Sequence, residues 1–159
     1  MIKKIIAFII LIAALVALGY VAVKITHKGI GMVEEATVQN YNTQMLLVQA
    51  KVKLISEQAV LDDDKSGYKG VKLAESDVED AKALIEQEII DKEEESFDYY
   101  YVWDQAVLDE LQVNTKLAEG EYYVVNYETR EVITTKGIKV PNVNKIYYKL
   151  SELKELIKE

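Results

Sequence analysis

Residue types that could do chemistry are sparse in this chain and rarely fall at a productive spacing. The single histidine, His27, sits between Lys24 and Lys28 beside a long apolar run, where an interfacial role fits better than general-base work. Cysteine is absent, so neither a thiol nucleophile nor a disulfide exists. Asp62, Asp64, Ser66 and Gly67 match the opening of a calcium loop, but its twelfth position falls on Leu73, which offers no bidentate carboxylate. The segment reads instead as a solvated turn. Serines have no histidine in pattern with them, carboxylates are scattered and no glycine-rich phosphate loop occurs. No catalytic residue, metal ligand or cofactor is therefore assigned. What remains is aromatic: Tyr99, Tyr100, Tyr101 and Trp103 in the stretch FDYYYVW. They read either as a contact patch for carbohydrate or peptide, or as rings that complete a core with their hydroxyls at its rim.

The element that organises the chain is its start. Ile5 to Val23 is nineteen residues without a charge, framed by Lys3, Lys4 and Lys24. As a helix it reaches about 28 Å, close to the hydrocarbon thickness of a bilayer. Ala17-Leu18-Gly19 offers a small-x-small cleavage site, yet the run is longer than the usual core of a signal peptide and leads into a helical pattern. The expectation is an uncleaved, single-pass anchor in the cell membrane, its short tail inside and the following body outside the cytoplasm. All 27 acidic residues lie after residue 33, and the net charge is −8. Such a surface repels nucleic acid and anionic headgroups, leaving the bilayer itself and other proteins as partners.

Three segments follow from the pattern: 1–28 as anchor and flanks, 29–61 as a long amphipathic helix, and 62–159 as an α+β body packed on it. Gly29 and Gly31 mark a hinge at the membrane surface. Val38, Tyr41, Met45, Val48, Val52, Ile55 and Ala59 then recur at alternating spacings of three and four, a heptad stripe that packs either on similar helices or on its own sheet. Leu47, Leu54 and Leu61 form a second seven-spaced row, which predicts a broader buried face. Ser76-x-x-Glu79 reads as a capping box opening a helix over 77–90, Phe97 to Trp103 as a short strand, and Asp104 as the cap of a helix stopped by a left-handed Asn114. Residues 121–127 and 131–136 predict a hairpin, 145–149 a further strand, and Ser151 the cap of a closing helix. Helices first and an antiparallel sheet last make an α+β fold.

That order of elements resembles the type IV pilin and type II secretion pseudopilin architecture. Residues 40–53 (NYNTQMLLVQAKVK) are similar to the post-membrane helix of pilin-like proteins from low-G+C bacteria, and residues 120–133 (GEYYVVNYETREVI) to the hairpin such proteins carry. The resemblance implies a non-enzymatic structural component of an envelope or secretion assembly, with similar subunits or secretion machinery as partners. The alternative is a membrane-anchored extracytoplasmic binding or sensing domain. Three departures stand out. The chain has neither the family's glycine before the processing site nor the glutamate five residues into the apolar helix, which implies that prepilin peptidase does not process it. Arg130 stands where the hairpin turn calls for glycine.

Overall fold

The computed structural model describes residues 37–140 and 143–158. The expected span from Ile5 to Val23, with His27 and the glycine hinge, lies outside them. Among the described residues no helix is long and apolar enough to cross a membrane.

The chain is helical from residue 37 to residue 62 (α1). The helix stops where Asp63 takes a left-handed φ of 49° and the Asp64 N–H donates to the Ala59 carbonyl at 3.0 Å, the bond pattern of a Schellman C-cap. Asp64 then accepts from Ser66 N at 2.8 Å and caps a 3-10 turn over Lys65–Gly67, while Asp62 accepts from Gln58. The aspartate run is thus turn chemistry, as its spacing predicts.

Five strands follow in a meander: β1 Val71–Lys72, β2 Tyr100–Trp103, β3 Tyr123–Asn126, β4 Val132–Lys139 and β5 Ile146–Lys149. They pair in that order, every neighbour antiparallel. Side chains alternate across a strand, so the sheet has two apolar faces. Trp103, Tyr123, Val125 and Val132 join Val38, Met45, Val48 and Val52 of α1 in one core, with Leu150 and Leu153 from the last helix. On the other face Val102, Val124 and Ile133 meet Leu73, Ala81, Leu84 and Ile90. Both faces are covered, which is why all four residues of β3 are buried. The result is α+β, a long helix packed on a five-stranded antiparallel sheet with short helices around it.

Those helices are α2 Glu79–Glu86, α3 Gln105–Glu110 and α4 Leu150–Lys158. Each departs in detail from the sequence expectation. Ser76 does not cap α2 directly: its Oγ accepts from Val78 N, and Val78 occupies the cap position. The helix ends early because Glu88 turns left-handed at φ 57° and the Ile89 and Ile90 N–H groups fold back onto the Leu84 carbonyl. Asp104 does cap α3, accepting from Val107 N at 2.9 Å, but the left-handed stop is Gln112, not Asn114. At α4 the cap is supplied by Glu152, whose carboxylate reaches back to the Tyr148 and Lys149 N–H groups; Ser151 takes no such role. Phe97–Tyr99 form a 3-10 turn, so the strand begins only at Tyr100.

The seven-spaced row Leu47, Leu54 and Leu61 does not widen the buried face of α1. These side chains are 46%, 61% and 80% exposed. Successive helical residues turn by about 100°, so a row of sevens can run along any side of the helix. Leu47 sits one position from Val48 and lies on the flank. The stripe from Val38 to Ala59 does face the sheet, with Tyr41 and Ile55 half-buried at its edges.

Candidate functional site

Among the described residues a concavity lies where the last turns of α1 meet the loop before β1 and the β3–β4 hairpin. It is a groove of about 550 Å³. Val60 and Leu61, both largely exposed, form its helical wall. Tyr68, Tyr99 and Tyr127 supply the aromatic surface, and Glu57, Lys65, Glu128 and Arg130 stand around it.

The aromatic surface is built by a cluster of stacked rings. Tyr68 lies flat on Tyr127, with centroids 4.0 Å apart and planes within 6°, and Tyr101 meets both edge-on. Burial pushes the Tyr127 and Tyr68 phenols up, so both stay neutral across the physiological range. The Tyr127 hydroxyl accepts from Lys69 N at 2.8 Å and donates to Lys69 O at 3.0 Å, and the same carbonyl accepts the Trp103 indole N–H at 2.9 Å. Gly70 makes that approach possible. At its φ of +90°, a Cβ would stand 2.5 Å from the Val102 carbonyl oxygen and 2.6 Å from the Trp103 ring, so only glycine fits.

On the hairpin side, Asn126 is fully buried. Its Oδ1 accepts from Glu128 N and Thr129 N, each at 2.9 Å, and its amide donates to Ser96. This side chain shapes the turn that presents Glu128 and Arg130. Arg130 adopts a left-handed φ of 62°, the conformation that calls for glycine at this place. Its carbonyl accepts from Gln49 Nε2 at 2.7 Å, and Gln49 Oε1 accepts from Lys154 of α4, so α1 ties the hairpin to the last helix. The Arg130 guanidinium stands 3.7 Å from Glu57, a loose pair with both partners nearly half exposed. Lys65 donates to the Tyr99 hydroxyl at 2.8 Å.

The four-ring contact patch expected from FDYYYVW is not formed as a unit. Trp103 and Tyr100 are buried and lie on opposite faces of the sheet, because adjacent strand positions alternate. Burial, then the Glu94 carboxylate, holds the Tyr100 phenol well above its ordinary range. Tyr99 and Tyr101 are half-buried, and of the four only Tyr99 lines the groove. Tyr68, Tyr127, Lys65 and Arg130 are what sequence reasoning missed. The signal that could have found Tyr68 is its place directly before the Lys69-Gly70 pair that docks on Trp103. Among the described residues no group of three His, Cys, Asp or Glu side chains could hold a metal ion.

A scan against protein-family models and searches of curated proteins and of solved structures found no match to this chain.

Proposed function

We propose that the protein is a non-enzymatic, pilin- or pseudopilin-like subunit of a bacterial envelope or secretion assembly, held in the cell membrane by a single span with its α+β body outside the cytoplasm. The observation that carries this reading is the division of labour around α1. One side of the helix is used up on its own sheet, and the flank bearing Leu47, Leu54 and Leu61 is left in solvent. Three large apolar side chains in line along one flank of a helix offer apolar area that association with a like flank would remove from water. In sequence the helix also follows an apolar run of membrane-spanning length, and anchoring in one bilayer would raise the local concentration of copies whose flanks can meet. Bilayer and like subunits are then the partners, and the acidic body disfavours nucleic acid.

The chain has no cysteine, which makes the test clean. Leu54→Cys in native membranes should give disulfide-linked dimers on mild oxidation, whereas Val48→Cys, buried against the sheet, should give none. Only monomers from Leu54→Cys, Leu47→Cys and Leu61→Cys alike would overturn the assembly reading. The second reading, an anchored binding or sensing domain, is favoured by the groove at the end of α1.

A further inference from the structure

We infer that the groove at the end of α1 binds a neutral oligosaccharide, with a sugar ring against Tyr68 and Tyr99 and its hydroxyls held between the carboxylates of Glu57 and Glu128 and the cations of Lys65 and Arg130. The inference deepens the binding-domain reading; of the leucine flank it shares only Leu61, which lines the groove.

The argument is one of complementarity. The groove's volume, about 550 Å³, falls within the span of small-molecule sites and leaves room for more than one ring. Its walls are aliphatic and aromatic, and its rim holds two cations and two anions within a chain of net charge −8. An anionic ligand would face Glu57 and Glu128. A cationic one would face Lys65 and Arg130, and a purely apolar one would strip water from all four without replacing it. A sugar satisfies every part: each hydroxyl donates to a carboxylate and accepts from an ammonium or guanidinium, and the C–H face of the ring packs on a phenol. Hydrogen bonds to charged partners are the stronger kind.

The charged groups are held by exposed contacts that a ligand's hydroxyls can exchange: Glu57 stands 3.7 Å from Arg130 and 3.8 Å from Lys53, and the Lys65 ammonium donates to the Tyr99 hydroxyl and lies 4.6 Å from the centre of that ring. The stacked Tyr68 and Tyr127 rings give a rigid floor at little further entropic cost. A proline-rich peptide would also favour aromatic rings, but its carbonyls only accept, leaving both carboxylates unmatched.

The test uses the full chain in a zwitterionic detergent without a sugar headgroup, and saturation-transfer NMR with maltotriose, cellotriose, chitotriose and a triproline peptide. Transfer from the tyrosine rings to sugar ring protons is expected for at least one trisaccharide and not for triproline. Tyr99→Ala and Glu128→Gln should each weaken binding about tenfold while the near-ultraviolet signal of buried Trp103 is retained. Leu54→Asp, outside the groove, should bind as the parent does, which separates this result from the assembly test. Absence of transfer to every trisaccharide, equal affinity in the Tyr99→Ala and Glu128→Gln variants, or transfer to triproline alone would each overturn the inference.

Discussion

Single side chains in this fold often do what a neighbour in sequence was expected to do. Glu152 is the clearest case. Burial raises its carboxyl, but the Lys149 N–H, the Lys145 ammonium 3.0 Å away and the Tyr148 N–H outweigh that and hold it below the ordinary glutamate range. A carboxyl depressed by folding adds stability that is complete at neutral pH and fades as the pH falls through its ordinary range and below. Urea unfolding of the parent should therefore show stability nearly constant from neutral pH down to about pH 5 and falling as the pH is lowered through the ordinary glutamate range and beyond it. Glu152→Gln should be less stable at neutrality and show a flatter acid limb; an unchanged slope would place the acid sensitivity elsewhere. Arg130 makes the complementary point about backbone. A side chain at φ 62° carries a penalty that glycine escapes, and the exposed pair lost with it is worth little. Arg130→Gly should raise stability by about 0.5–1 kcal/mol, read as a higher denaturant midpoint with unchanged slope. A fall would mean that the Glu57 contact contributes more than its distance suggests.

At the scale of elements, legibility followed periodicity. The stripe from Val38 to Ala59 and the strands around Tyr123 and Val132 were visible because burial on one side writes a period into the sequence. The two-residue strand β1 was not, since Val71 and Lys72 are both exposed and their pairing with Tyr101 and Val102 comes from Gly70 docking under Trp103. The bulge in β4 was equally hidden: Gly137, at φ 67°, fits against Ile146 and Tyr148 where a side chain would collide. The groove was the least legible feature, because Leu61, Tyr68, Tyr99 and Arg130 come from four separate segments and share no pattern. The row Leu47, Leu54 and Leu61 shows the converse error, a true repeat on the wrong side of the helix. The two sides of α1 should respond differently to truncation. Met45→Ala, at a fully buried position, should cost about 2–5 kcal/mol, whereas Leu54→Ala should change stability by less than about 0.5 kcal/mol. Comparable losses in thermal unfolding would show that the flank is packed in the folded chain.

For the molecule as a whole, charge and apolar surface pull in opposite directions. The acids are confined to the part after residue 33, against an apolar run framed by lysines. On the proposed reading, in which copies are anchored in one membrane, bodies of like charge repel one another. The flank of α1 offers a compensating attraction, since Leu47, Leu54 and Leu61 lose their contact with water if two copies meet there. Salt distinguishes the two terms. The screening length shrinks from about 10 Å at 0.1 M to about 3 Å at 1 M, which weakens repulsion between acidic bodies and leaves apolar burial intact or slightly strengthened. The dimer yield from Leu54→Cys in native membranes should therefore increase as salt is raised over that range, and Leu47→Asp introduced beside it should abolish the increase. A yield that falls with salt would mean that opposite charges, such as Lys53 and Glu57 on neighbouring copies, hold the contact and that the leucine flank does not.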